Sequence, residues 1–115
     1  MLGRAHRFHG LGSLNGVYRN GKKVRGNMIS LQYGSRHMEK PYRVAVVVSR
    51  KTHKSAVVRN RIRRRIYEVV RLNDEGLKNG TDLVFTVFSD QVADLGNETL
   101  TKTINELLSK SGVKA

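Results

Sequence analysis

The sequence predicts an α/β (α+β) two-layer sandwich with its elements in the order α-β-β-α-β-α. Three observations carry that expectation. Residues 42–49, YRVAVVVS, and residues 82–89, DLVFTVFS, are apolar, β-branched runs of strand length. Between them, residues 55–72 place apolar side chains at helical spacing, which makes a β-α-β unit. A second amphipathic stretch follows, and one sheet covered by helices is the simplest way to bury these faces.

The elements follow in order. Residues 1–12 are basic, contain glycine and lack periodicity, which predicts an extended arm on a single 1–115 domain. Ser13 offers an N-cap to a short helix with Leu14, Val17 and Tyr18 at helical spacing and Gly21 just past its end. Gly16 weakens that helix by about 1 kcal/mol relative to alanine, so packing must hold it. Residues 27–33, NMISLQY, alternate as a half-buried strand, with Ile29, Leu31 and Tyr33 on one side. Residues 34–41 read as a loop ending at the single proline. The unbroken apolar character of 42–49 predicts a central strand buried on both faces. Residues 73–80 form a turn region with two glycines. Asn97 is the candidate N-cap of the last helix, where Leu100, Ile104, Leu107 and Leu108 share a face before Gly112 ends it.

Charge separates the chain into two parts. Residues 1–71 carry 18 Lys and Arg against 2 Asp and Glu, while residues 72–115 carry 4 against 7. A basic half joined to a mildly acidic half predicts a polyanion-facing surface and a back. Nucleic acid is the leading partner and an anionic membrane surface the second. Three Phe, four Tyr and no Trp argue against a wide aromatic membrane-binding face. No apolar run approaches the roughly 20 residues of a membrane span. The absence of cysteine excludes thiolate chemistry and suits a reducing, cytoplasmic compartment.

The basic residues concentrate on one helix. Residues 59–65 read RNRIRRR, five arginines in seven positions. On a helical projection Val58, Ile62, Ile66, Val69 and Val70 fall within an arc of about 120°, wide enough to dock on a sheet. Arg61, Arg64 and Arg71 lie on the opposite side, and Arg63 and Arg65 flank the stripe. Arg59 sits near the helix start, where it can turn toward the sheet edge. The planar guanidinium fork donates paired hydrogen bonds to phosphate and stays charged. A helix of about 18 residues spans about 27 Å, enough to follow a phosphate backbone. Arg50, Lys51 and Lys54 extend the surface. Between Arg50 and Arg71 there is one acid, Glu68, so the face lacks the alternating signs of a merely solvated helix.

Residues 49–71, SRKTHKSAVVRNRIRRRIYEVVR, resemble the signature of the bacterial ribonuclease P protein family. Its hallmark is Arg-Asn-Arg opening a basic helix after a valine-rich strand, as at Arg59-Asn60-Arg61. HRF near the N-terminus, LNGVYRNGKKVRG, DLVFTVFS and the last helix extend the resemblance over essentially the whole chain. It implies a fold like the second domain of ribosomal protein S5, with a left-handed β-α-β crossover where the general rule favours the right hand. It implies a protein that binds a large catalytic RNA and the 5′ leader of precursor tRNA, so that the leader is cleaved away. The RNA performs the chemistry with Mg2+, bound mainly by RNA and substrate. No membrane and no protein partner are required. The residues implied for the RNA subunit are Lys51, Lys54, Arg59, Asn60, Arg61, Arg63, Arg64 and Arg65. Those implied for the leader cleft are Leu14, Tyr18 and Tyr33, with Val46 or Val48 on its floor. Two positions depart from the family pattern: Leu14 stands where many members have Phe, and His53 where many have Gly.

Two other readings compete. One is a stand-alone RNA-binding module of ribosomal or chaperone type. The other is a protein-only nuclease, which His6 and His9 support poorly. They lie three residues apart with no acid nearby to orient them and no third ligand for a metal. Electrostatic contact with RNA, or plain exposure, suits them better. The acids Asp74, Glu75, Asp82, Asp90, Asp94, Glu98 and Glu106 scatter through turns and helix starts, and no catalytic or metal-binding set emerges.

Overall fold

The computed structural model describes residues 6, 17–18, 21–35 and 41–113. Leu14 and the remaining residues of the expected N-terminal arm and helix lie outside this set. The described elements are β1 (Lys22–Arg25), β2 (Ile29–Ser35), β3 (Arg43–Val48), α1 (Ala56–Leu72), β4 (Thr81–Val87), a 3-10 helix (Asp90–Ala93) and α2 (Asn97–Ser111).

The strands form one sheet in the order β1-β2-β4-β3. β1 pairs antiparallel with β2, and β2 antiparallel with β4. β3 and β4 are parallel neighbours joined through α1. Register aligns the core rows across the sheet: Ile29, Val87 and Val48, then Leu31, Phe85 and Val46, then Tyr33, Leu83 and Val44. These side chains share one face, since alternate residues of a strand point the same way. Both helices cover that face. α1 contacts β3, α2 contacts β1 and β2, and the helices also touch each other.

α1 forms because its apolar positions match this surface. Ile62, Ile66, Val69 and Val70 are its buried residues, as the helical projection predicts. Ser55 caps its start by accepting from the Val58 N–H at 3.4 Å. Asn73 closes its end, with its side-chain amide donating to the Val69 carbonyl at 2.8 Å. In α2, Leu100, Ile104, Leu107 and Leu108 are buried, and Gly112 terminates the helix at φ 77°.

Four local expectations are corrected. β1, KKVR, has no apolar alternation to reveal it; three of its four residues are exposed, and pairing with β2 creates the strand. β3 is an edge strand, not a central one, and Arg43, Ala45 and Val47 on its second face are only half-buried. β-branched composition reports burial but not position in the sheet, and the central strand sealed on both faces is β4. The residue capping α2 is Gly96 rather than Asn97, whose side chain makes no cap. Finally, β2 runs two residues past Tyr33 into the expected loop.

The entry to β3 is anchored by Tyr42. His6 stacks on the Tyr42 ring with centroids 4.1 Å apart, and its Nδ1–H donates to the Tyr42 carbonyl at 2.9 Å. His6 is therefore half-buried against the body, a packing role in place of the expected exposed or RNA-facing one. The Tyr42 hydroxyl donates to Asp74 at 2.8 Å. Burial first, and then that hydrogen bond, push the phenol above its usual 10.0. The fold holds this proton more tightly than the unfolded chain does. Its contribution is present below about pH 10 and is lost as pH rises further. Tyr42→Phe is expected to cost about 1 kcal/mol at pH 7 and to lessen the alkaline loss. Denaturant unfolding at pH 7 and at about pH 11 checks both.

Candidate RNA-binding surface

The turn of residues 49–55 sets the start of the basic helix. The Thr52 hydroxyl donates to the Val87 carbonyl at 3.0 Å, tying the turn to the end of β4. His53 Nδ1 accepts the Ser55 N–H at 3.0 Å, so its proton resides on Nε2. The histidine that departs from the family pattern thus braces the turn. Arg50, Lys51 and Lys54 are exposed around it.

The five arginines of RNRIRRR divide by what they touch. Arg59 folds back on the turn, donating to the carbonyls of His53 at 2.9 Å and Lys54 at 2.8 Å. Arg65 reaches across to the acidic half. It donates to the Val92 carbonyl at 2.7 Å, to the Leu95 carbonyl, and to Asn97 Oδ1 at 3.3 Å. That clamp holds the 3-10 helix and the entry to α2 against α1. Arg63 donates to Asn60 Oδ1. Asn60, Arg63, Arg64 and Tyr67 line a shallow concavity of about 320 Å3.

Arg61 and Arg64 are exposed on the side away from the sheet. Arg61 has a loose, solvent-exposed ion pair with Asp94 at 3.8 Å. Arg64, Arg50, Lys51 and Lys54 make no ion pair among the described residues. Arg71, expected in the same outward row, is paired with Glu68. The hydrogen-bonded Arg71 guanidinium holds the Glu68 carboxyl below its ordinary range. The least neutralised cations are therefore Arg61, Arg64 and the three of the turn. Like charges this close repel, and a polyanion laid along them relieves the repulsion.

Leu14 lies outside the described residues, and Tyr33, Val46 and Val48 share the helix-covered side of the sheet. Val46 and Val48 are each 6% exposed and belong to the helix-covered core, so they cannot floor an open cleft. Strand alternation gives the opposite face to Ala45 and Val47, both half-buried. Tyr33 lies in the same register row as Leu83 and Val44 and packs partly against the core. Tyr18 is 40% exposed and so accessible. The close approach of this segment to β2 requires Gly21, where a Cβ would lie 2.4 Å from the Val17 carbonyl oxygen and 2.6 Å from that of Tyr33.

Sequence reasoning missed Phe88. It is 52% exposed, and it follows Val87, whose side chain enters the core. Its signal was parity: once Val87 is assigned inward, the next residue turns outward. Among the described residues no group of three or more His, Asp or Glu is placed to hold a metal ion. None of the described helices is long and apolar enough to cross a membrane.

Known proteins share the sequence pattern and the fold of this chain. The family model described as Ribonuclease P matches residues 2–112. A ribonuclease P protein component from Caldanaerobacter subterraneus subsp. tengcongensis is 38% identical over 95 residues, covering 83% of this chain and 79% of the relative. One from Clostridium botulinum is 38% identical over 98 residues, covering 84% and 86% respectively. The solved structure of the Staphylococcus aureus RNase P protein superposes with a TM-score of 0.83 at 19% identity, covering 97% of this chain and all of that one. The Thermotoga maritima RNase P protein superposes at 0.79 with 20% identity, covering 90% and 96%. The fold is thus shared with RNase P proteins far apart in sequence, and by its family match and its close relatives this chain belongs to the ribonuclease P protein family.

Proposed function

We propose that this chain is the protein subunit of ribonuclease P, binding the catalytic RNA and the 5′ leader of precursor tRNA. The observation that carries the reading is the outward pair Arg61 and Arg64, continuous with Arg50, Lys51 and Lys54, in a chain of this family. In this role Arg61, only loosely paired with Asp94, and Arg64 meet phosphates of the RNA subunit with their guanidinium forks. Lys51 and Lys54 add point charges. Arg63 and Asn60 present one edge of the concavity they share with Tyr67. Arg59 and Arg65 act through the fold, one shaping the turn and the other clamping the acidic half. The leader runs over the sheet face opposite the helices, with Tyr18 beside it. Ala45 and Val47 take the floor positions first given to Val46 and Val48.

The protein supplies no reacting group in this reading. The RNA performs the cleavage with Mg2+ held mainly by RNA and substrate, in the cytoplasm and without a protein partner. The protein screens phosphate repulsion and aligns the two RNAs. The test is cleavage of a precursor tRNA at low salt, with and without ribonuclease P RNA and Mg2+. The expected result is no cleavage by protein alone and marked enhancement of the RNA-dependent reaction. Cleavage by protein alone would indicate a nuclease. Binding without enhancement would indicate a stand-alone RNA-binding module.

A further inference from the structure

We infer that Phe88 is a stacking platform for one unpaired base of the precursor leader, an inference that rests on the reading just given. The backbone carrying Phe88 is clamped on both sides of a single peptide group. Its N–H donates to the Met28 carbonyl at 2.7 Å, and the carbonyl of that same peptide, Val87 C=O, accepts from the Thr52 hydroxyl at 3.0 Å. The next residue, Ser89, caps the 3-10 helix by accepting the Gln91 N–H at 3.2 Å. The backbone that carries an aromatic residue just past the central strand is thereby anchored, while about half of that residue stays in solvent.

The surroundings name the occupant. Thr52, which holds this peptide, belongs to the turn bearing the exposed cations Arg50, Lys51 and Lys54. An exposed aromatic on an anchored backbone beside an uncompensated cation is how single-stranded nucleic acid is held: the ring takes a base and Arg50, which is not among the residues given to the RNA subunit, takes a flanking phosphate. Alternation turns Phe88 away from the helix-covered side into which Val87 points. Arg61 and Arg64 face outward from that helix-covered side. The geometry therefore assigns Phe88 to the leader rather than to the RNA subunit. A lone exposed phenylalanine is ordinarily unremarked surface. Here the doubly bonded peptide and the cationic turn set it apart.

The test compares wild type with Phe88→Ala, Phe88→Leu and Phe88→Trp in the reconstituted holoenzyme. Affinity is measured for precursor tRNA with a leader, for mature tRNA, and for the RNA subunit. Phe88→Ala and Phe88→Leu are expected to weaken precursor binding by about 5- to 150-fold, with mature tRNA and RNA-subunit binding unchanged. Phe88→Trp is expected to retain affinity. An abasic scan of the leader should find one position where base removal weakens wild type but adds nothing to Phe88→Ala. Equal precursor affinity for wild type and Phe88→Ala would overturn the inference, as would a loss confined to the RNA subunit or a loss with no coupled leader position. If the wild-type protein itself gives no enhancement, the subunit reading fails, which is a distinguishable result.

Discussion

Replacing Arg61 and Arg64 together by alanine is expected to weaken binding to the ribonuclease P RNA by about 25- to 60-fold at 0.1 M monovalent salt. The figure follows from counterion release. Each phosphate contact contributes roughly 0.7–0.9 to the slope of log K against log salt concentration. Two lost contacts therefore flatten the slope by about 1.4–1.8 and make the variants converge near 1 M. Little stability should be lost with them. Arg64 makes no ion pair among the described residues, and the Arg61–Asp94 pair at 3.8 Å is solvent-exposed. Unfolding free energy should stay within about 0.5 kcal/mol of wild type. A salt titration of binding is the decisive measurement: weakened affinity with an unchanged slope would mean that these arginines do not face phosphate.

Arg65→Ala should behave in the opposite way. Its guanidinium donates to two backbone carbonyls, those of Val92 and Leu95, and to Asn97. Hydrogen bonds from charged donors are worth about 1.5–3 kcal/mol each, and removing the donor leaves part-buried carbonyls unpaired. A loss of about 2–4 kcal/mol is expected, seen as a fall in Tm of roughly 10 °C. Affinity for the RNA, measured well below that temperature, should change far less than in the Arg61 and Arg64 variant. Lysine should rescue only part of the loss, because one ammonium cannot span the forked contacts of the guanidinium. Thermal unfolding and RNA binding measured on the same samples separate the roles. Unchanged stability with strongly weakened binding would return Arg65 to the RNA surface.

These two predictions treat neighbouring arginines differently, and that difference marks the limit of sequence reading. Helical periodicity placed Ile62 and Ile66 inward and Arg61 and Arg64 outward, because side-chain direction on a helix is set by the backbone alone. It placed Arg65 at the flank but could not name its partners, which lie 27 to 32 residues further along. Arg59 reads in sequence as one more cation, and in the fold it brackets its own turn.

The strands make the same point. Alternation in 27–33 identified Ile29 and Leu31 as core, and the apolar runs located β3 and β4. In RVAVVV one parity holds Val44, Val46 and Val48 and the other Arg43, Ala45 and Val47, so alternation favours the first set for the core without naming what closes over it. Pairing with β4 seals Val46 beside Phe85 and leaves Ala45 and Val47 for the open face. β1 exists because β2 supplies its hydrogen-bond partners, whatever its own composition prefers.

By itself, the sequence determined the two-layer class, the docking stripe of α1, the cationic face and the family resemblance, since each depends on local periodicity or on contiguous motif residues. The tertiary structure alone decided strand order, the edge position of β3, which arginines are neutralised internally, and the anchored exposure of Phe88. Those outcomes depend on contacts between residues distant along the chain, and chain-local patterns do not encode which distant groups meet.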